Sequence, residues 1–295
     1  MSNHQTKSGS ILAILAYSIW GFAPMYFKLL LEMPAEEILV QRIVWSVVVL
    51  AILIIVLRHR VKVAEGLRNP KVIATLVISG LLLAGNWGVF IWAVNNDRLL
   101  DASLAYYINP MVNVFLGRLF LGEKLRPLQR LAVTMSAAGV SVLVMSFGAV
   151  PWIALFMACS FGLYGLLRKK VSVDSVPGMF IETSMMLPFA VLYWLFFATS
   201  ASDLTTLSIE VNLIIASAGL VTTVPLLCFT AAARRLQYST LGFFQYIGPS
   251  IMFLLAIFLY DEPLQPERLI TFGFVWSALV LFSFDSVRNH HRARG

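Results

Sequence analysis

Charged side chains are scarce in this sequence, and that scarcity excludes an ordinary soluble protein. Only 13% of the 295 residues are charged, whereas soluble domains carry about 25%, and 59% of the residues are hydrophobic. A chain with so little polar surface cannot shield its apolar residues from water. We therefore expect nearly all of it to lie in a lipid bilayer, with little left over for an aqueous domain.

Residues that build disulfides and metal centres are also few. The two cysteines, Cys159 and Cys228, fall inside apolar stretches, where we expect them to pack as small hydrophobic side chains. The phosphate-binding pattern GxxxxGK[ST] does not occur. We therefore predict no metal and no cofactor, because the four histidines lie in tails or loops without ligand spacing: His4, His59, His290 and His291.

Long hydrophobic runs dominate what remains, and each is near the length of about 20 residues that spans a bilayer as a helix. The fold class that this predicts is an all-α integral membrane protein with ten transmembrane helices. The ten stretches are 9–31, 36–57, 71–94, 101–121, 128–146, 150–168, 177–199, 211–233, 239–259 and 267–286.

The net charge of +7 does not indicate nucleic-acid binding, because the basic residues collect in alternate loops. Short loops rich in Lys and Arg stay in the cytoplasm, so we predict that both termini are cytoplasmic. The opposite loops hold mainly acids, such as Glu32, Glu36, Asp203 and Glu210. The basic loops and the C-terminal tail contain Arg58, Arg60, Lys62, Arg68, Lys71, Lys124, Arg126, Arg130, Arg168, Lys169, Lys170, Arg234, Arg235, Arg288, Arg292 and Arg294.

One sequence motif occurs twice, 139 residues apart. Tyr107-Ile108-Asn109-Pro110 is followed by Glu123, and Tyr246-Ile247-Gly248-Pro249 is followed at the same distance by Glu262. Seven of the 21 positions from Tyr107 to Pro127 are identical in the second copy. We therefore predict two related halves, residues 1–147 and 148–295, each with five helices.

An odd number of spans in each half gives the two halves opposite orientations in the membrane. The sequence thus predicts an inverted repeat around a central cavity, as in many secondary transporters. Two similar bundles that can exchange their packing would expose a midplane site first on one side and then on the other, which is alternating access.

Several further short motifs occur along the chain: Ile19-Trp20-Gly21, Gly85-Asn86-Trp87, Ile91-Trp92-Ala93-Val94-Asn95-Asn96, Thr222-Thr223-Val224-Pro225-Leu226, and Leu241-Gly242-Phe243-Phe244-Gln245 with the Tyr246 motif. Together they resemble the EamA-type members of the drug/metabolite transporter superfamily, and in particular the RarD branch. The resemblance implies a ten-helix transporter of the bacterial inner membrane, and the branch name also implies a chloramphenicol permease as an alternative.

Polar and aromatic residues in the middle of the spans are the candidates for contact with a solute, because polar groups in hydrocarbon are costly unless they face partners or water. For the asparagines, hydrogen bonds that hold helices together are the alternative role, and it stays open here. The candidate cavity residues are Tyr17, Trp20, Asn86, Trp87, Tyr106, Asn109, Asn113, Phe244 and Gln245.

Glu182 is a candidate for proton coupling or for binding a substrate amine, because a carboxylate one and a half turns into a span is poorly placed to reach water. A structural hydrogen bond is the alternative. Pro110, Pro249 and Pro225 each remove a backbone hydrogen bond within a span, so we predict that they break helices or act in gating.

Three basic residues also lie within or near spans. Arg118 is expected to extend to the membrane surface. Lys28 and Arg42 are expected to do the same or to pair with Glu32 or Glu36.

These observations predict a secondary transporter and not an enzyme. It would export or facilitate small organic metabolites, such as amino acids or aromatic and amphipathic compounds, as a monomer or weak dimer in the inner membrane. Protons are a candidate coupling ion, and nucleic acid is not a partner. The alternatives are an enzyme acting on lipids, which would need clustered acids or histidines, and a passive channel or scaffold.

Overall fold

Helices make up almost all of the structure, a computed structural model that describes residues 3–30, 32–96, 98–146, 148–260 and 266–292. The helices are α1 (Asn3–Phe27), α2 (Ala35–Val56), α3 (Arg60–Arg68), α4 (Pro70–Asn95), α5 (Leu99–Leu121), α6 (Pro127–Ser146), α7 (Trp152–Lys170), α8 (Ser175–Phe197), α9 (Ile209–Arg235), α10 (Tyr238–Gln245), α11 (Ile247–Phe258) and α12 (Pro266–Arg292). Short 3-10 turns follow α1 and α8, at Lys28–Leu30 and Ser200–Ser202.

Each of the ten apolar stretches contains a helix, although one stretch is divided. Residues 239–259 form α10 and α11, which meet at Tyr246. Pro249 has no N–H to donate to the carbonyl of Gln245, and the helix is interrupted beside that carbonyl. Pro110 and Pro225 instead lie inside continuous helices, so the prediction that they break helices is wrong for these two.

Eight of the helical segments are long and apolar enough to cross a membrane by length and composition. Among the ten predicted spans, those of α5 and α7 do not meet that test. These two helices pack against each other, and α5 also contacts α10 while α7 contacts α4 and α9. Protein neighbours therefore bury several of their polar residues, such as Asn109, Asn113 and Ser160, which lowers the cost of carrying these in a membrane.

Most contacts between helices repeat when each helix of the first half is exchanged for its counterpart in the second, although α7 packs on α9 without a comparable contact between the described parts of α1 and α4. α1 packs on α9 as α7 packs on α4, and α5 packs on α7 as α11 packs on α1. Three pairs of counterparts also touch each other: α2 with α8, α5 with α10, and α6 with α12. Glycines permit the closest approaches, since a Cβ on Gly219 would lie 2.5 Å from the carbonyl oxygen of Trp45.

The bundle has two chemically different ends. The basic end holds the start of α1 and the loops around Lys62, Arg126 and Asp174. Ion pairs link its segments to each other, from Lys62 to Asp174 and from Arg126 to Asp285. At the acidic end, which holds Glu36 and Glu37, the backbone N–H of Thr199 donates to Glu37 at 2.7 Å. Between the ends, the outer surface carries exposed apolar side chains, such as Phe189, Leu195, Phe196, Phe197 and Phe258. Such a surface is suited to lipid.

The second copy of the repeated motif ends at Glu262, which lies outside the described residues.

Candidate functional site

A cavity of about 220 Å³ lies in the middle of the bundle. Its walls come from α1, α2, α4, α5, α7, α9, α10 and α11, so both halves of the chain contribute to it. Most of the wall is apolar, and seven of the side chains are aromatic: Tyr17, Trp20, Phe27, Trp87, Phe90, Tyr106 and Phe161.

The structure brings most of the predicted site residues together around this cavity. Asn113, Phe244, Pro110, Pro225 and Glu182 are not among the lining residues. Those that line it are Tyr17, Trp20, Asn86, Trp87, Tyr106, Asn109, Gln245 and Pro249.

Aromatic rings form the wall of the cavity on the side of α1. Trp20 lies 5.6 Å from Tyr17 and 5.8 Å from Phe161, measured between ring centroids. The hydroxyl of Tyr17 is buried and has no hydrogen-bond partner among the described residues. A wall of fixed rings with few polar atoms is suited to the flat, apolar part of an organic molecule.

The asparagines near the cavity tie helices together through their amide nitrogens. Asn86 donates to the carbonyl of Met157 at 2.8 Å and to Ser160 at 2.9 Å, while Asn109 donates to the carbonyl of Ala158 at 3.0 Å. These bonds join α4 and α5 to α7. The Oδ1 atom of Asn109 is buried and has no partner within the part of the chain that the structure describes.

Asn113 and Phe244 lie behind the cavity wall. Asn113 is fully buried, and its Nδ2 donates to Oε1 of Gln245 at 2.9 Å. That bond connects α5 of the first half with α10 of the second, and Gln245 itself reaches the cavity. Phe244 packs against the hydrophobic core cluster around Tyr238 and Leu241.

Arg42 enters the cavity wall, contrary to the prediction that it extends to the surface or pairs with Glu32 or Glu36. Its Nε donates to Oγ1 of Thr222 at 2.8 Å. Its Cζ lies 5.0 Å from the ring centroid of Trp87 and 5.4 Å from that of Phe27. No carboxylate pairs with it among residues 3–30, 32–96, 98–146, 148–260 and 266–292.

The course of α2 explains why the sequence did not identify Arg42 as a site residue. The residue lies two turns inside α2, from where a long side chain can often reach the membrane surface. Only the packing of α2 against α9 turns it inward, toward Thr222. The one sequence signal was an arginine at an interior position of a long apolar run.

Glu182 lies toward the basic end and is almost completely buried. It accepts a hydrogen bond from Ser79 at 3.1 Å, and its Oε2 lies 3.5 Å from Nη1 of Arg168, which is equally buried. A void of only about 10 Å³ beside Glu182 shares Trp87 and Leu226 with the central cavity. Glu182 therefore lies beside a small void that adjoins the central cavity.

The acidic end is more open. A second cavity of about 850 Å³ shares four residues with the central one and continues to Lys28, Tyr260 and Glu267. The Nζ of Lys28 lies 3.2 Å from the ring centroid of Tyr260. The shared residues are Pro24, Tyr106, Pro249 and Met252.

Hydrogen bonds between the two halves close the basic end. Glu123 accepts from the backbone N–H groups of Tyr238 at 2.5 Å and Ser239 at 2.9 Å, and from the Ser239 hydroxyl at 2.7 Å. Its carboxylate thus caps the first turn of α10. Within the second half, Lys169 also donates to the carbonyls of Ala233 and Leu236 at 2.6 and 2.5 Å.

Comparison with known proteins agrees with this architecture. Residues 7–145 match the model of the EamA-like transporter family. The chain is 52% identical to an uncharacterized transporter of Vibrio cholerae, over 98% of this chain and 96% of that protein. It is 48% identical to protein RarD of Escherichia coli K12, over 99% of each. The chain belongs to the RarD branch of the EamA-like transporter family.

The fold of this RarD-branch protein also occurs among solved structures. A crystal structure superposes with a TM-score of 0.73 at 17% identity, covering 96% of this chain and 98% of the other. The RarD relatives and the apolar helices identify a multi-pass protein of the bacterial inner membrane. The lipid-enzyme alternative gains no support, because the relatives that are described by an activity are transporters.

Proposed function

We propose that this protein is a secondary transporter that works by alternating access. The observation that carries the proposal is the cavity itself, which meets a larger opening toward the acidic end and is closed toward the basic end by bonds between the two halves. A cavity with access on one side is what one state of such a transporter requires.

The inverted repeat, with halves 1–147 and 148–295, supplies the second state. Its support is the repetition of helix contacts when counterparts are exchanged, because a packing that the first half adopts is then also available to the second. The basic end faces the cytoplasm, since short loops rich in Lys and Arg are retained there. Both termini then lie in the cytoplasm, and the cavity described here opens outward.

The solute is a small organic metabolite with an aromatic or amphipathic body, a class that includes amino acids. The aromatic wall around Trp20 and the amide groups of Asn109 and Gln245 support this proposal. The protein exports this solute or facilitates its passage across the membrane.

The break between α10 and α11 allows the cavity wall at Gly248 and Pro249 to move, whereas Pro110 and Pro225 act as local weak points in continuous helices.

Accessibility of single cysteines tests this function. Cysteines replacing Tyr106, Asn109 and Gln245 go into a background without Cys159 and Cys228, and a membrane-impermeant thiol reagent is applied to each side. We expect labelling from both sides at rates that change when a transported solute is added. A cysteine replacing Leu119, which faces lipid, provides the control for rates unrelated to the cavity. Labelling from neither side would overturn the proposal.

We also propose that Glu182 couples transport to protons, because it is a buried carboxylate beside the void that adjoins the central cavity. Protonation would neutralise the carboxylate and weaken its attraction to Arg168, which holds α8 to α7 at the basic end. We expect Glu182→Gln to retain solute exchange but to lose acceleration by a pH gradient in proteoliposomes. Glu65→Gln, at an exposed position of the same end, serves as the matched control. Full pH-driven transport by Glu182→Gln would remove the coupling role.

A further inference from the structure

The central cavity contains a single charged group. Among the lining residues of the described chain, Arg42 alone carries a charge, and neither an aspartate nor a glutamate accompanies it. A cation held inside a membrane protein without an acid is costly, and such residues commonly mark the path of a substrate. The charge pattern of this cavity therefore contains information about the solute.

The guanidinium of Arg42 is held in place on three sides, while most of its donors remain unused. Its Nε donates to Thr222, and the rings of Trp87 and Phe27 lie near its Cζ. A guanidinium has five N–H donors in a planar fork, and only the Nε donor has a bond to a described side chain. The remaining pair of nitrogens has the geometry that binds a carboxylate through two parallel hydrogen bonds.

The rest of the cavity complements this cationic group. The aromatic wall of Tyr17, Trp20 and Phe161 suits a flat apolar body. The second cavity, toward the acidic end, is lined by two cations, Lys28 and Arg268, and one acid, Glu267. Cations therefore outnumber acids on the way to Arg42, and a positively charged solute in the central cavity would face Arg42 without a compensating acid among the lining residues.

We infer that the solute carries a carboxylate, which binds the outer edge of the Arg42 guanidinium while its aromatic body packs against the Trp20 side of the cavity. This inference rests on the proposed transport function and specifies its substrate class: aromatic or amphipathic organic acids, including amino acids. Arg42 is then the residue that determines charge specificity. Neutral aromatic amides and organic cations are poor ligands.

Three indole compounds of similar length but different charge provide the test. They are indole-3-propionate, indole-3-propionamide and 3-(3-aminopropyl)indole, which are negative, neutral and positive. Binding to the full-length protein in nanodiscs of phosphatidylcholine is measured by calorimetry, so that no anionic lipid headgroup competes. We expect the carboxylate to bind about tenfold or more tightly than the other two, as for a charge-assisted pair of hydrogen bonds.

Variants assign that preference to Arg42. We expect Arg42→Gln to lose the preference for the carboxylate and to change the affinity for the amide less than about threefold. Arg42→Lys retains the charge without the planar fork, so it should lose only part of the preference. Thr222→Val removes the bond to Nε but not the charge, and Arg118→Gln removes an exposed arginine away from the cavity as the matched control.

Two outcomes would overturn the inference. One is that the wild-type protein fails to bind the carboxylate more tightly than the amide and the amine, a comparison that does not depend on any variant folding. The other is that Arg42→Gln keeps the preference. Either result leaves the proposed function intact if the cysteines at positions 106, 109 and 245 are still labelled from both sides, so the two failures can be told apart.

Discussion

Individual polar residues in this membrane bundle have two distinct roles. The roles differ in whether the donor and acceptor atoms of the side chain have hydrogen-bond partners. Asn113 uses its amide nitrogen to join α5 to α10, away from the cavity surface. Arg42 and Asn109 line the cavity and retain donors or an acceptor that no described residue engages. The amide nitrogens thus join helices, whereas contact of the lining residues with a solute stays a prediction.

The bond between Asn113 and Gln245 should be measurable as a coupling free energy. We expect Asn113→Leu to lower the free energy of unfolding by about 0.5–2 kcal/mol, the range known for polar contacts between membrane helices. Gln245→Leu should cost a similar amount, and the double variant should cost less than the sum of the two. Denaturant titration in mixed micelles gives the values, and strictly additive losses would mean that the bond contributes nothing.

An ion pair at the basic end should make stability depend on pH. The hydrogen bond from Lys62 at 2.7 Å, together with Arg234 at 3.5 Å, lowers the pKa of Asp174 below its ordinary value. A lowered pKa in the folded state means that the stabilisation is complete above the unfolded pKa of about 4 and disappears as the pH falls through the folded pKa.

The expected effect of removing Asp174 is small, because its side chain is 48% exposed. Asp174→Asn should lower the free energy of unfolding by at most about 1 kcal/mol at neutral pH and by less near pH 2. Salt at 1 M should reduce the difference at neutral pH, since it screens exposed charges. An equal loss at both pH values would show that the aspartate acts through packing and not through its charge.

Residues such as Asn86 and Trp87 could be recognised as cavity candidates from the sequence, because both lie in the middle of a span. At that depth a polar or interfacial side chain can reach neither water nor the membrane surface, so it must face a protein partner or a cavity. Arg42 could not be assigned in this way, since an arginine near the end of a span can reach either the surface or the interior. Its direction depends on the packing of α2 against α9, which the local sequence does not contain.

At the scale of whole elements, the two copies of the repeated motif fold differently. Pro110 lies in the continuous helix α5, whereas Pro249 follows the break between α10 and α11. Asn109 binds the carbonyl of Ala158 and holds α5 against α7, while Gly248, its counterpart, has no side chain with which to do so. The sequence predicts the helices from their apolar length, but tertiary contacts decide which proline interrupts one.

Helix α3 is the element that the pattern of apolar runs did not predict. It is a short helix of nine residues between two spans, and it carries Arg60, Lys62 and Arg68. Such a segment is too short and too polar to span a membrane. Its Gly66 lies against Ile181 of α8, so the loop between α2 and α4 is packed onto the second half.

The cap that Glu123 provides for α10 should stabilise the closed basic end. Glu123→Ala removes a charged acceptor from two backbone N–H groups and one hydroxyl, so we expect a loss of about 1.5–3 kcal/mol in the free energy of unfolding. Glu65→Ala, at an exposed position of the same end, is the control and should have little effect. A similar loss in both variants would mean that the cap adds nothing specific.

For the molecule as a whole, the proposed alternating access makes closure at the basic end and opening at the acidic end one of two states. The composition was sufficient to predict a membrane protein, because it is an average over many residues, and the two related halves stay a prediction from the repeat. Which end is open could not be predicted, since that depends on bonds such as those of Glu123 to α10, made between residues 115 and 116 positions apart.

A comparison of two positions tests this two-state description directly. Met252 borders both the central and the outer cavity, whereas Leu226 borders the central cavity and the small void near Glu182. In a background without Cys159 and Cys228, we expect a cysteine at 252 to be labelled rapidly from the acidic end. A cysteine at 226 should be labelled slowly from the basic end.

Adding Glu123→Ala should reverse the relation between the labelling rates at positions 252 and 226. A bond network worth about 1.4 kcal/mol changes the ratio of two states tenfold, so the ratio of the labelling rate at 226 to that at 252 should rise by about tenfold or more. Glu65→Ala provides the control. Because a molecule that opens at the basic end by alternating access must close at the acidic end, the rate at 252 has to fall as the rate at 226 rises. A rise at both positions would instead indicate a loosened bundle, and it would contradict alternating access between these two faces.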